Sequence, residues 1–148
     1  MNKIVIGSDH AAFEMKEALK GFLQSKMNLE IIDIGTYSLE RADYPDYARK
    51  LCHEVLHQNL DGILICGSGI GVSMAANRFK GIRAALCRSP MDAEMARKHN
   101  NANVICLGAR FSSQKEIESI LESWFTHIFE GGRHAERLAK FENSGEDC

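Results

Sequence analysis

Asp61 to Arg78 reads DGILICGSGIGVSMAANR, and its two halves follow different rules. Ile63-Leu64-Ile65 is a short unbroken apolar run, the pattern of a strand buried on both faces. Cys66 closes that run, the glycine-rich turn Gly67-Ser68-Gly69-Ile70-Gly71 follows, and a helical pattern starts at Val72 and runs to Asn77. A strand therefore turns through glycines into a helix, with a thiol at the turn. Glycine lets the backbone bend sharply and approach a ligand closely. A helix start presents unpaired N–H groups and the positive end of the dipole, which suits an anion. A thiol in that setting is a candidate nucleophile or base rather than an inert core group.

Two common phosphate loops are excluded by spacing. The dinucleotide fingerprint G-x-G-x-x-G would need glycine where Val72 stands, and no Gly-Lys follows as a Walker loop requires.

Outward from this stretch, strands and helices alternate. Lys3 to Gly7 reads as a strand and is followed at once by Ser8-Asp9-His10. An amphipathic helix carries Phe13, Ala18, Leu19, Phe22 and Leu23. Glu30 to Ile34 is a second strand, closed by Gly35, and the polar segment Thr36 to Tyr44 is a loop. Pro45 suits the first turn of a helix running to about Gln58. After the glycine loop come a strand at Ile82 to Leu86 and a helix from Ser89-Pro90 to Lys98. A strand at Asn103 to Leu107 precedes a helix capped by Ser112-Ser113 and Glu116, reaching Phe129. Gly131-Gly132 breaks the chain before a last helix at Arg133 to Phe141, and the tail from Asn143 reads as frayed.

This alternation predicts a three-layer α/β/α, Rossmann-like fold. Its five-stranded parallel sheet would be doubly wound, with helices on both faces. The 148 residues fit one domain spanning 1–148. Hydrophobic residues at 45% and charged residues at 26% are ordinary for a globular protein, and a net charge of -2 gives no argument for nucleic acid or membrane. No apolar run is long enough to span a bilayer, and the N-terminus lacks a signal peptide's apolar core. Five cysteines without a C-x-x-C pair point to a reduced, cytoplasmic setting.

Ligands of such folds bind beyond the carboxyl ends of the strands, where the strand order reverses. A reversal between the first and third strands would bring Asp9-His10 and Cys66-Gly67-Ser68 to opposite walls of one crevice, with Arg110 on the same edge. His99-Asn100 lies in the loop before the fifth strand, which leaves its placement open. Arg133 and Arg137 stand one helical turn apart, a spacing that suits either a phosphate clamp or a solvated basic face. His53-Glu54-Val55-Leu56-His57 matches the zincin pattern H-E-x-x-H. The inner face of that helix is Ala48, Leu51, Cys52, Val55 and Leu56, so His53 points outward, and no third ligand has an obvious place. The segment reads as a surface pair, not a zinc site.

Taken together, GSDHAAFEMKE, ADYPDYA, CGSGIGVSMAANR, ARKHNNANV, LGAR and the Arg133/Arg137 pair resemble the ribose-5-phosphate isomerase B family, which also includes galactose-6-phosphate isomerase subunits. The resemblance implies interconversion of ribose 5-phosphate and ribulose 5-phosphate, or of a hexose 6-phosphate pair, with no metal and no organic cofactor. A non-catalytic sugar-phosphate binding module is the reading from another class. The resemblance also implies a homodimer with shared active sites, the C-terminal helix docking on the partner subunit; pairing of dimers into tetramers is left open. Carried residue by residue, Cys66 resembles the catalytic base and His99 the ring-opening acid. Asp9, His10 and the loop Gly67, Ser68, Gly69, Ile70 and Gly71 resemble sugar-binding elements. Asn100, Arg110, Arg133 and Arg137 resemble the remaining substrate contacts, the arginines serving mainly the phosphate. One branch of the family carries a Glu base where this chain has Val72, which leaves Cys66 as the base here.

Overall fold

The structure, a computed structural model, describes residues 2–143. Five strands form one parallel sheet: β1 (Asn2–Ser8), β2 (Leu29–Asp33), β3 (Asp61–Cys66), β4 (Ala84–Leu86) and β5 (Val104–Gly108). Their order is β2-β1-β3-β5-β4, so the chain reverses direction across the sheet between β1 and β3, as the alternation predicts.

The strands carry apolar residues on both faces because both faces are covered. Successive side chains of a strand point to opposite sides. Ile4, Ile6, Ile63, Ile65, Ile105 and Leu107 accordingly join one core with helices α1 (Phe13–Ser25), α4 (Pro90–Lys98) and α5 (Gln114–Thr126). Their in-between neighbours Val5, Leu64, Val104 and Cys106 join the other core with α2 (Tyr44–Gln58) and α3 (Ile70–Ala76). The last helix, α6 (Arg133–Ala139), buries no residue of its own.

Local sequence accounts for most element ends. Pro45 opens α2, Ser89 caps α4 through Asp92 N–H, and Ser113 with Glu116 forms a complete capping box on α5. Four expectations are corrected. The fourth strand spans Ala84–Leu86, not Ile82 to Leu86, because at Arg83 the Asn103 side chain takes the place of a ladder partner. Asn103 Oδ1 accepts from Arg83 N–H, and the Asn77 amide pairs with both backbone groups of Ala84. Helix α5 stops at Thr126, short of Phe129, because His127 is extended and Glu130 N–H donates to Lys98 O at 3.0 Å, drawing the chain towards α4. The last helix stops at Ala139 and passes into a 3-10 turn at Lys140–Asn143; the frayed tail expected beyond Asn143 lies outside the described residues. Leu56 is 45% exposed and does not belong to the inner face of α2, which is Ala48, Leu51, Cys52 and Val55. No helix among the described residues is long and apolar enough to cross a membrane.

Candidate active site

The carboxyl ends of β1, β3 and β5 form one ledge. Ser8 lies opposite Ile65, and Cys66 lies opposite Gly108, so Asp9 and Arg110 leave the sheet on either side of the thiol. Asp9 is buried and its Oδ1 accepts from Ala12 N–H at 3.3 Å, capping the short 3-10 turn His10–Ala12. That bond leaves Oδ2 for a ligand. His10 Nδ1 stands 3.1 Å from the N–H of Ala42 and 3.2 Å from its carbonyl, which fixes the ring by one nitrogen and leaves Nε2 for a ligand.

The glycine loop is held from within. Gly69 takes a left-handed φ of 78°, and its N–H donates to Cys66 Sγ at 3.1 Å. Ile70 N–H donates to Ser68 Oγ at 3.1 Å, and Ser73 N–H to Gly69 O at 3.2 Å. These bonds narrow the expectation that the whole 67–71 backbone faces a ligand. The N–H groups of Gly69 and Ile70 serve the loop itself, whereas Gly71 and Val72, as first-turn residues of α3, have no intrahelical acceptor. From β5, Ala109 N–H donates to Cys66 O and Arg110 N–H to Gly67 O, both at 2.9 Å. The Arg110 guanidinium lies against Gly67, so close that a Cβ there would meet it at 3.1 Å.

Cys66 is chemically apart from the other described thiols. Burial pushes Cys52 up to about 12, and burial with the Asp92 charge does the same to Cys87. Burial raises Cys106, at the centre of the sheet, well above the ordinary cysteine value. These three are core groups; Cys66 has a backbone donor aimed at its sulfur and sits at the strand's open end.

His99, Asn100, Arg133 and Arg137 are placed elsewhere. Helix α4 runs back from the carboxyl edge and ends with His99 as its C-cap. Arg97, two residues earlier, pairs with Asp61 at 3.1 Å, and Asn103 O accepts from Gly62 N–H. His99 is therefore at the amino end of β3, whereas Cys66 is at its carboxyl end, roughly 16 Å away along a strand rising about 3.3 Å per residue. The linker and α6 follow His99: Glu130 N–H bonds Lys98 O, and the His134 ring stacks on His99 at 4.2 Å. Desolvation, then the charges of His99, Arg133 and Arg137, hold the His134 pKa below the ordinary histidine value. Arg133 and Arg137 are exposed. One chain thus assembles Asp9, His10, Cys66 to Gly71 and Arg110 on one edge, and His99, Asn100, Arg133 and Arg137 on the other.

Three residues of the ledge escaped the sequence reading. A Cβ at Gly108 would stand 2.5 Å from Ser68 O, so only glycine lets β5 and the loop touch. An isolated glycine at a strand end is the signal that could have found it. The Tyr44 ring covers Gly71, 2.6 Å from where a Cβ would be. Arg88 Nη2 donates to Ser68 O at 3.1 Å, with its guanidinium 4.4 Å over the Phe111 ring. Neither Tyr44 nor Arg88 is marked by spacing. The His53 and His57 rings stack loosely at 6.0 Å on the exposed face of α2.

Fold and ledge define a doubly wound α/β protein whose ligand edge, at the switch between β1 and β3, bears a thiol and a glycine loop. Comparison with known proteins gives the particular lineage. The profile of the ribose/galactose isomerases matches residues 4–141. Ribose-5-phosphate isomerase B of Escherichia coli is 42% identical over 139 residues, covering 93% of this chain and 93% of that one. The structure superposes on a ribose 5-phosphate isomerase from Thermotoga maritima with a TM-score of 0.93 at 48% identity, covering 96% and 98% of the two chains. Ribose-5-phosphate isomerase B of Clostridium thermocellum gives a TM-score of 0.94 at 41% identity, covering 98% of each. The chain belongs to the ribose/galactose isomerase family.

Proposed function

We propose that this chain interconverts ribose 5-phosphate and ribulose 5-phosphate as a cytoplasmic homodimer whose sites each take groups from both subunits. The carrying observation is the division of the chemistry between the two sheet edges, with Cys66 on one and His99 and the arginine pair on the other. Two copies related by a two-fold axis can set one chain's ledge against the other chain's α6. Leu138, half-buried, and Phe141, 52% exposed, line a groove of about 830 Å³ with Phe79, Ile82 and Phe129, an apolar face that a partner would cover. Family membership supports the reaction class, and the relatives named above support the five-carbon sugar. The unpaired Cys52, Cys66, Cys87 and Cys106 support a reducing compartment.

In this reading, His99 of the partner subunit exchanges the ring-closing proton and opens the furanose, with Asn100 of the partner subunit beside it. Cys66 Sγ takes the C2 proton of the open aldose and returns it to C1, while the hydroxyl proton moves from O2 to O1. A positioned base of this kind supplies about 10² to 10⁴ in rate. Backbone N–H groups of Gly67, Ser68 and Gly71 hold the enediolate oxygen, each such donor contributing on the order of 10² to 10³. Gly69 and Ile70 shape that cradle. Asp9 Oδ2 and His10 Nε2 hold sugar hydroxyls. Arg110, with Arg133 and Arg137 of the partner subunit, binds the phosphate and keeps the reacting carbons in register.

The test is turnover by the purified protein of ribose 5-phosphate, allose 6-phosphate and galactose 6-phosphate. The expected result is fastest turnover of ribose 5-phosphate. A faster six-carbon sugar would move the substrate to the hexose phosphates, and phosphate binding without turnover of any would make the chain a binding module.

A further inference from the structure

Outside the thiol ledge, metal-ligating side chains meet at one place among the described residues. The ligand atoms of His99, Glu130 and His134 all lie within 4.8 Å of one another. His99 Nε2 is 3.5 Å from Glu130 Oε1, and the two imidazoles stack at 4.2 Å with 13° between their planes. Each comes from a different piece of backbone: the C-cap of α4, the linker after α5, and the first turn of α6. The pieces are tied together, Glu130 N–H to Lys98 O at 3.0 Å and His134 N–H to Gly131 O at 3.2 Å.

We propose that His99, Glu130 and His134 form a site for a zinc-class divalent cation, and that its occupation inhibits the isomerase. Two imidazoles and a carboxylate, with water completing the tetrahedron, are a donor set that zinc accepts. Zinc ligand atoms sit about 3.4 Å apart when each is 2.0–2.2 Å from the metal. The present spacing closes to that by small rotamer changes, and the side chains of His99 and Glu130, at 40% and 49% exposed, are free to make them. Arg133 and Arg137 flank His134 and oppose a cation, which makes the site one for inhibition by passing metal rather than for a resident ion. The inhibitory half rests on the proposed role of His99 in ring opening: a metal on Nε2 removes the nitrogen that would exchange the proton. H-E-x-x-H on α2 brings no such trio together: the His53 and His57 rings lie 6.0 Å apart, and Glu54 accepts from the Gln58 amide.

The experiment titrates the metal-free, full-length protein with Zn²⁺ by calorimetry and with Co²⁺ by visible absorption. The expected result is one ion per chain, with no thiolate-to-cobalt charge-transfer band. Removing even an outer-shell partner costs 10- to 100-fold in metal affinity, so Glu130→Gln and His134→Asn should each weaken binding at least about tenfold. Cys66→Ala and His53→Asn should bind as the parent does. In the parent protein, Zn²⁺ should protect His99 and His134 from carbethoxylation, read by mass spectrometry, which needs no variant to fold. Unchanged affinity in both Glu130→Gln and His134→Asn, a thiolate band, or protection of His53 and His57 instead would overturn the site. Zn²⁺ should also slow turnover of ribose 5-phosphate much more than solvent deuterium exchange into ribulose 5-phosphate, which has no ring to open. Stoichiometric binding at the three residues with equal slowing of both would sink the assigned role of His99 and leave the metal site standing.

Discussion

The two edges of the sheet are built in opposite ways. On the carboxyl edge, Asp9 is 7% exposed and Cys66 is 4% exposed, and main-chain bonds from Ala109 and Arg110, just past β5, hold Cys66 and Gly67. Ser8 N–H bonds Gly35 O and Thr36 N–H bonds Ser8 O, so even the loop beside β1 is stitched to the ledge. On the amino edge, Asn100, Arg133 and Arg137 stand exposed on helix ends, and α6 leaves its apolar face unfinished. Atoms that must meet a reacting carbon within a few tenths of an ångström belong on rigid elements. In the proposed dimer, groups that grip a distant phosphate across the subunit boundary would tolerate helix ends, because docking would finish their packing.

In the proposed dimer the two edges must cooperate between chains. Cys66→Ala should lose turnover by about 10² to 10⁴ while keeping substrate affinity, since the proposed base would act on the transition state. Arg133→Ala/Arg137→Ala should be nearly inactive through lost phosphate binding. Refolded together at equal concentration, random mixing makes half of the dimers mixed, and each mixed dimer has one intact site; about a quarter of all sites should recover. Recovery of no activity, with dimers confirmed by ultracentrifugation, would place both edges' groups in their own chain's site.

A smaller effect sharpens the ledge itself. Gly108→Ala would put a methyl 2.5 Å from Ser68 O and 2.7 Å from its carbonyl carbon, and backbone cannot swing aside as a side chain can. The loop must shift, and a displacement near 1 Å costs on the order of 10² in rate. The variant should fold, with overpacking costing about 1–3 kcal/mol, and lose turnover. Parent-like kcat in a folded Gly108→Ala would mean that the contact between β5 and the loop does not position the site.

The sequence shows the first edge far better than the second, for a physical reason. Strand, glycine turn and helix start are contiguous at Ile63–Val72, so local rules describe them. The reversal between β1 and β3 follows from a topological rule that needs only the order of elements. His99 obeys no local rule. Its partners Glu130 and His134 are about thirty residues away, joined through a bond from Glu130 to Lys98 that no periodicity records. The same long-range tie ends α5 three residues early, and Asn103 shortens β4 by using its side chain at Arg83 where a strand would use backbone. Leu56 adjoins the Ala48, Leu51, Cys52, Val55 stripe in the periodicity, yet it lines a groove with Phe79 and Tyr37 instead of the core.

The smallest expected effect is on acid stability, and it has opposite signs at the two ends of the sheet. Asp33 ends β2 on the carboxyl edge. Burial raises its pKa, but Lys16 at 2.6 Å, Lys20 at 2.9 Å and Gly35 N–H together overcome burial, and the net shift is below the ordinary aspartate value of 3.8. A group depressed in the folded state adds stability above its unfolded pKa and loses it as pH falls through the folded value. Asp61 begins β3 on the amino edge, and there burial wins over Arg97, so its pKa is raised from 3.8. A raised group adds stability below its unfolded pKa and loses it as pH rises through the folded value. Between neutrality and about pH 3, a range set by the ordinary aspartate value, Asp33 therefore favours acid unfolding and Asp61 resists it. Urea midpoints at several pH values in that range should fall less steeply with acid in Asp33→Asn than in the parent, and more steeply in Asp61→Asn. The same slope change in both variants would show that the two edges share one electrostatic environment, and the contrast between them would then rest on backbone bonding alone.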